Sequence, residues 1–176
     1  MKKLILLLVP ILLLSACKTY VPFTNKLKTD NRWNESDLKQ IQFYLSNTIT
    51  LHRQLGNSET KIESGVIKTI DGKKIEQIII KKGTPGIVSN LADQKRMAVS
   101  FEIDDEHFLT FGSYKNRGGR YYLMLKEYQK DKWSKVTYVQ KEFYTSPESL
   151  QGFLQVDIKK IKKEERNQRV VSGRKL

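Results

Sequence analysis

Cysteine is almost absent from this 176-residue chain, and Cys17 is the only one. A single thiol cannot close an internal disulfide. Histidine is nearly as scarce: His52 and His107 stand alone in predicted strands, with no HxH or HxxxH partner. A zinc centre takes three or four His, Cys or carboxylate ligands, so neither a metal site nor a cofactor is expected. GxSxG, SxxK and HExxH are all missing. Asp104-Asp105-Glu106 sits in a tight turn, without the six or more oxygen ligands of a calcium loop. Lys82-Gly83-Thr84-Pro85-Gly86 lacks P-loop spacing and reads as a type II turn at Pro85-Gly86. With no catalytic residue to name, the chain reads as non-enzymatic. Long apolar runs are lacking too. The longest, Leu4 to Leu14, is interrupted by Pro10 and falls well short of the ~20 residues that span a bilayer.

That run is nevertheless informative. Met1-Lys2-Lys3 precedes it and the small pair Ser15-Ala16 follows, which is the three-part pattern of a secretory signal peptide. Leu14-Ser15-Ala16-Cys17 resembles the lipobox of bacterial lipoproteins. The resemblance covers residues 1–17. It implies cleavage before Cys17, a diacylglycerol on the thiol and an acylated amino group. Two or more acyl chains anchor a protein stably, whereas one binds only marginally. By the sorting rule of that family, Lys18 rather than Asp after the cysteine favours the outer membrane. Surface-exported members carry an acidic cluster there, which Lys18 to Pro22 lacks. The implied location is the periplasmic face of the outer membrane.

Acidic residues are in deficit. The formal charge is +13, and losing residues 1–16 removes Lys2 and Lys3 and lowers it to +11. Such a balance suits an anionic polymer or lipid headgroup, such as peptidoglycan, lipopolysaccharide or anionic phospholipid. Export argues against nucleic acid, the other usual partner of a basic domain. Two basic features stand out. Lys115, Arg117 and Arg120 surround Gly118-Gly119; glycines admit close backbone approach, and arginine grips phosphate or carboxylate bidentately. Lys159, Lys160, Lys162, Lys163, Arg166 and Arg169 begin a basic C-terminal segment. Near an anionic membrane each such charge contributes about 1 kcal/mol.

The pattern divides the chain into a signal peptide (1–16), a lipidated cysteine with a flexible tether (17–32), one β-rich domain (33–161) and a basic tail (162–176). Asn34 and Asp37 can cap a helix over about 34–46, with Trp33 and Leu38 as a hydrophobic staple. Beyond it the period is two. Thr48–Leu55 puts Ile49, Leu51 and Leu55 on one face. Ile62, Val66 and Ile70 alternate next, after a turn at Gly56-Asn57-Ser58. Asp71-Gly72 signals a hairpin, and the Ile78-Ile79-Ile80 run suggests burial on both faces. Residues 95–103 alternate, with Met97, Val99, Phe101 and Ile103 inward. Arg120–Tyr128 and Lys132–Val139 read as a hairpin, with a short return strand at Glu142–Tyr144. A helical turn at Ser146–Ser149 leads into a strand from Phe153 to Lys160. The expected fold is mainly β: one N-terminal helix, then seven or eight antiparallel strands in a small barrel or two-layer sandwich.

The expected role follows from the anchor and the missing chemistry: an accessory or structural subunit docking a protein partner of an envelope assembly, or a module binding an anionic envelope polymer or lipid. Replacing the anchor tests the first link. Cys17→Ala should retain the signal peptide and incorporate no labelled fatty acid; an unchanged, lipid-labelled product would refute lipidation at this residue.

Overall fold

A computed structural model describes residues 19–56, 65–93, 95–130 and 133–161. Cys17, the signal peptide, Ile62, the Asn57-Ser58 turn and residues 162–176 lie outside the described residues. The protein is mainly β. Two antiparallel sheets pack sandwich-like, without closing into a barrel.

The first sheet begins earlier than the sequence predicts. Tyr20–Pro22 forms β1, and Thr24 caps a short helix α1 (Asn25–Asp30), its side chain accepting the Leu27 amide proton at 3.0 Å. Phe23 between them is wholly buried, against Phe43 and Tyr121. The expected tether over 17–32 is therefore corrected from residue 20 on. Burying a phenylalanine contributes roughly 1.5–3 kcal/mol, enough to dock an otherwise aperiodic segment.

Asn34 starts the expected second helix with a full capping box: its side chain accepts from Asp37 N–H, and Asp37 accepts from Asn34 N–H. That helix, α2 (Glu35–Gln40), stops far short of residue 46. Phe43–Leu45 is instead β2, with all three residues buried. It lies between β12 (Leu154–Asp157) and β6 (Pro85–Asp93). Pairing on both sides satisfies its backbone and both faces are covered, so tertiary contacts override the helical stripe. Pro85 opens β6 rather than a type II turn. The turn falls three residues earlier, closed by Thr84 N–H to the Lys81 carbonyl, with Gly83 at φ +79. β7 (Arg96–Ser100), β8 (Phe108–Ser113) and β9 (Tyr121–Leu123) complete the order β1-β12-β2-β6-β7-β8-β9. β7 ends at Ser100, so Ile103, expected inward, is fully exposed.

The second sheet runs β10 (Ser134–Tyr138), β11 (Lys141–Thr145), β3 (Ile49–Gln54), β5 (Lys73–Ile80), β4 (Val66–Ile70). Asp71-Gly72 makes the expected two-residue turn, both at positive φ (+49 and +72), as a type I′ hairpin requires. Of the expected hairpin between residues 120–128 and 132–139 only the tip forms, where Glu127 bridges Lys135 antiparallel. β9 pairs with β8, and β10 pairs with β11 through Val139-Gln140. The chain thus changes sheets between Leu123 and Ser134. β12 ends at Asp157, whose side chain accepts from Lys159 N–H as residues 158–161 turn helical, so the predicted strand stops three residues early.

The inner faces form one core that includes Phe43, Leu51, Val99, Phe111, Val136 and Phe143. One ion pair lies within it. Arg53 and Glu76 face each other across β3 and β5 at 2.7 Å, and Glu76 is only 2% exposed. A buried charge stripped of its partner is costly. Glu76→Ala should therefore lower unfolding free energy by about 3–5 kcal/mol, measured by urea denaturation. Replacing both partners with leucine should recover most of that loss.

Candidate functional site

The five-stranded sheet has a second face, and it points to solvent. Strand alternation puts Ile78 and Ile80 inward and Ile79 outward, where it is 50% exposed. The expectation that all three isoleucines are buried is corrected here: among the described residues no layer covers the outer side. The cross-strand register extends this face. Thr50 pairs with Ile79, His52 with Gln77 and with Tyr144, Tyr144 with Lys135, and Val66 with Gln77. Val66, Ile70, Trp133 and Tyr144 are all exposed alongside Ile79. Gln77, Lys68, Lys73 and Lys135 stand among them, so the face mixes exposed apolar and polar side chains.

The centre of the face is held by side-chain contacts. The His52 ring stacks on Trp133 with centroids 4.7 Å apart and planes 20° off parallel, and the Gln77 side chain bonds the His52 Nε2. Lys135 Nζ lies 5.9 Å from the centre of the Tyr144 ring and 3.1 Å from Glu127. Burial under Trp133, helped by the charge of Lys68, holds the His52 pKa below its ordinary value and favours a neutral imidazole. At the far side β4 is the sheet edge, exposed at every residue, and one side of its backbone has no strand partner among the described residues. Such edges accept an added strand. Gly65 enters β4 at φ +102, where a Cβ would lie 2.4 Å from the Gln77 carbonyl oxygen.

The residues singled out for anion binding are not brought together. Arg117 lays its guanidinium 3.7 Å from the Tyr122 ring centre and donates to Gln151 at 3.2 Å. Arg120 covers the Phe153 ring at 4.9 Å. Both are occupied in packing the end of the sandwich. Lys115 faces away from them, beside Lys26 and Lys95. Lys160 Nζ approaches the Tyr44 hydroxyl at 3.4 Å, a contact that raises its pKa. Lys159 lies in the helical turn after β12; Lys162, Lys163, Arg166 and Arg169 lie outside the described residues. His107 does pair with Asp104, at 2.6 Å, and that bond holds the Asp104 carboxyl below the usual range. Among the described residues no group of three or more His, Cys, Asp or Glu could hold a metal ion.

The outward face escaped sequence reasoning because alternation shows that two faces differ, not which one is covered. One signal was available: lysines interleave the apolar residues of β4 and β5 at Lys68, Lys73 and Lys74, as on a solvated face.

The His52 shift has a pH consequence. On acidification the unfolded chain takes up this proton first, near about pH 6.5, while the folded state resists it. Stability is therefore fully present above that value and falls as the pH drops through it. His52→Phe, which keeps the stack on Trp133, should flatten the urea midpoint between pH 8 and pH 5.5 relative to the parent chain.

Comparison with family models, curated proteins and solved structures gives no match for this chain, so these surfaces are interpreted from their own geometry.

Proposed function

We propose that this chain is a lipid-anchored, non-enzymatic envelope protein that docks a protein partner through the outward face and open edge of its five-stranded sheet. One observation carries this reading. Val66 and Ile70 are exposed on a strand that is the sheet edge among the described residues, Ile79 is exposed on its neighbour, and the Trp133–His52 stack lies further along the same face. An extended segment of the partner adds to β4 by main-chain hydrogen bonds, and its alternate side chains meet these apolar rows. Lys68, Lys73 and Lys74 flank the hairpin against Asp71 alone, so an acidic segment is favoured. The lipobox supplies the anchor, and the sorting rule favours the periplasmic face of the outer membrane. Among the described residues no helix is long and apolar enough to cross a membrane.

A second observation favours contact with anionic lipid. β1 starts at Tyr20, three residues after Cys17, so a lipid on Cys17 leaves roughly 10 Å of chain between anchor and sheet. Tyr20 pairs with Asp157, and the basic segment begins two residues later at Lys159. Anchor and cations then share one end of the sheet, within a Debye length of the headgroups.

A photo-crosslinker placed at Ile79 in cells should trap one partner stoichiometrically, and a crosslinker at Lys39 on α2 should not. Val66→Asp with Ile79→Asp should abolish the adduct while leaving the thermal midpoint within a few degrees. No discrete adduct, or one indifferent to these substitutions, overturns the docking reading.

A further inference from the structure

A second surface lies on the other sheet and owes nothing to the docking face. α1 is set off from the end of the β6–β7 hairpin, leaving a trough of two adjoining cavities of about 680 and 540 Å³. Asn25, Thr29 and Lys95 line both, so the two share a wall. Arg32, Trp33 and Leu91 line the first; Lys115 lines the second.

The charges in this trough do not cancel. Its acids are all engaged: Asp30 with Lys26 at 2.8 Å, Glu35 with Lys39 at 2.9 Å, and Asp93 with Arg96 at 2.7 Å. Arg32, Lys95 and Lys115 have no side-chain hydrogen bond or ion pair among the described residues. Arg32 and Lys95 line the first cavity, and Lys95 and Lys115 the adjoining one; uncompensated cations placed so close together raise the local concentration of anions. The wall between them is apolar and aromatic, formed by Leu91 and by Trp33, which is half-buried and stacked on Phe23. Small-molecule sites share this make-up of an apolar wall with a few convergent polar groups.

Arg32 is placed there at a cost. Arg32 N–H donates to the Thr29 carbonyl at 3.0 Å and Trp33 N–H to the Lys28 carbonyl at 3.2 Å. This pair of bonds is the Schellman end of a helix, where the left-handed residue is usually glycine. Here it is an arginine at φ +53. The backbone would prefer glycine, and the guanidinium gained in exchange stands at the rim of the trough beside Trp33.

We propose that this trough binds a phosphate-bearing saccharide. The sugar ring lies on the Trp33 and Leu91 wall. Its phosphate is met by Arg32, whose fork suits two phosphate oxygens, and by Lys95, with Lys115 extending the positive lining. The same chemistry is offered by a soluble sugar phosphate and by the headgroup of a phosphorylated glycolipid.

Emission from Trp33 reads occupancy directly once Trp133, the other tryptophan, is replaced by phenylalanine. The full-length Trp133→Phe chain is placed in phosphatidylcholine nanodiscs. Glucosamine 1-phosphate is added in solution in one arm; a phosphorylated glucosamine-disaccharide lipid is built into the nanodisc in the other. A saturable change is expected with the phosphate and not with glucosamine alone, weakening as salt rises. Arg32→Gly and Lys95→Ala should each weaken it roughly tenfold, the worth of a charged hydrogen bond. Arg32→Gly should keep or raise the thermal midpoint, because glycine suits φ +53, so loss of binding is separated from loss of fold. A response to both probes supports a site for either source. A response only to the glycolipid, lost in both variants, supports a membrane source. No saturable response to either probe, or one equal in parent and variants, overturns the proposal.

Discussion

β12 lies between β1 and β2, and the seven-stranded sheet depends on that insertion. Val156 pairs with Val21 on one side and with Phe43 on the other, and Leu154 pairs with Leu45. Without β12, β1 has no neighbour and β2 loses one of its two. The strand comes from the far end of the chain, so its placement joins residues separated by more than a hundred positions. That is expensive in chain entropy. Burial of Val156, Leu154, Phe43 and Leu45, all at 0% exposure, offsets it. Phe23 follows from the same pairing, its N–H donating to the Leu154 carbonyl at 2.8 Å. The N-terminal segment is thereby fixed and α1 is held where it walls the trough.

The two sheets differ in how they meet water. Both faces are covered on β2, where Phe43, Tyr44 and Leu45 are all buried. The five-stranded sheet is covered on one face only. Apolar residues on its open side carry no packing reward in the isolated chain, and an exposed edge beside them invites pairing with another chain. The cations show a similar division. Arg117 and Arg120 are spent on aromatic rings, where their stems and guanidinium planes cover apolar surface. Arg32, Lys95 and Lys115 are not spent in this way.

Local chemistry was legible where it is local. The Asn34 capping box and the Asp71-Gly72 turn follow from neighbouring residues, and both form as expected. The inward sides of β3 and β7 follow from alternation. Errors fall where distant pairing decides. Residues 41–45 fit a helical stripe, yet β12 and β6 draw them into a sheet. Tyr121–Leu123 and Ser134–Tyr138 look like one hairpin, yet each finds a better neighbour. The candidate surfaces were less legible still. Arg32 and Lys95 line one cavity from positions far apart in the chain, and neither alone departs from an ordinary exposed cation.

Sequence by itself determined the mainly antiparallel β class, the capped start of α2, the hairpin at Asp71 and the scarcity of chemistry-bearing residues. It also carries the lipobox resemblance, which is a property of contiguous residues. Each of these depends on near neighbours or on composition. Tertiary structure alone decided which face of the Ile78–Ile80 run meets solvent, which arginines are consumed by aromatic stacking, and which cations share a concavity. Those outcomes depend on long-range pairings such as β1–β12–β2. The pairings are chosen by total burial and backbone satisfaction, and no local window of sequence contains either quantity.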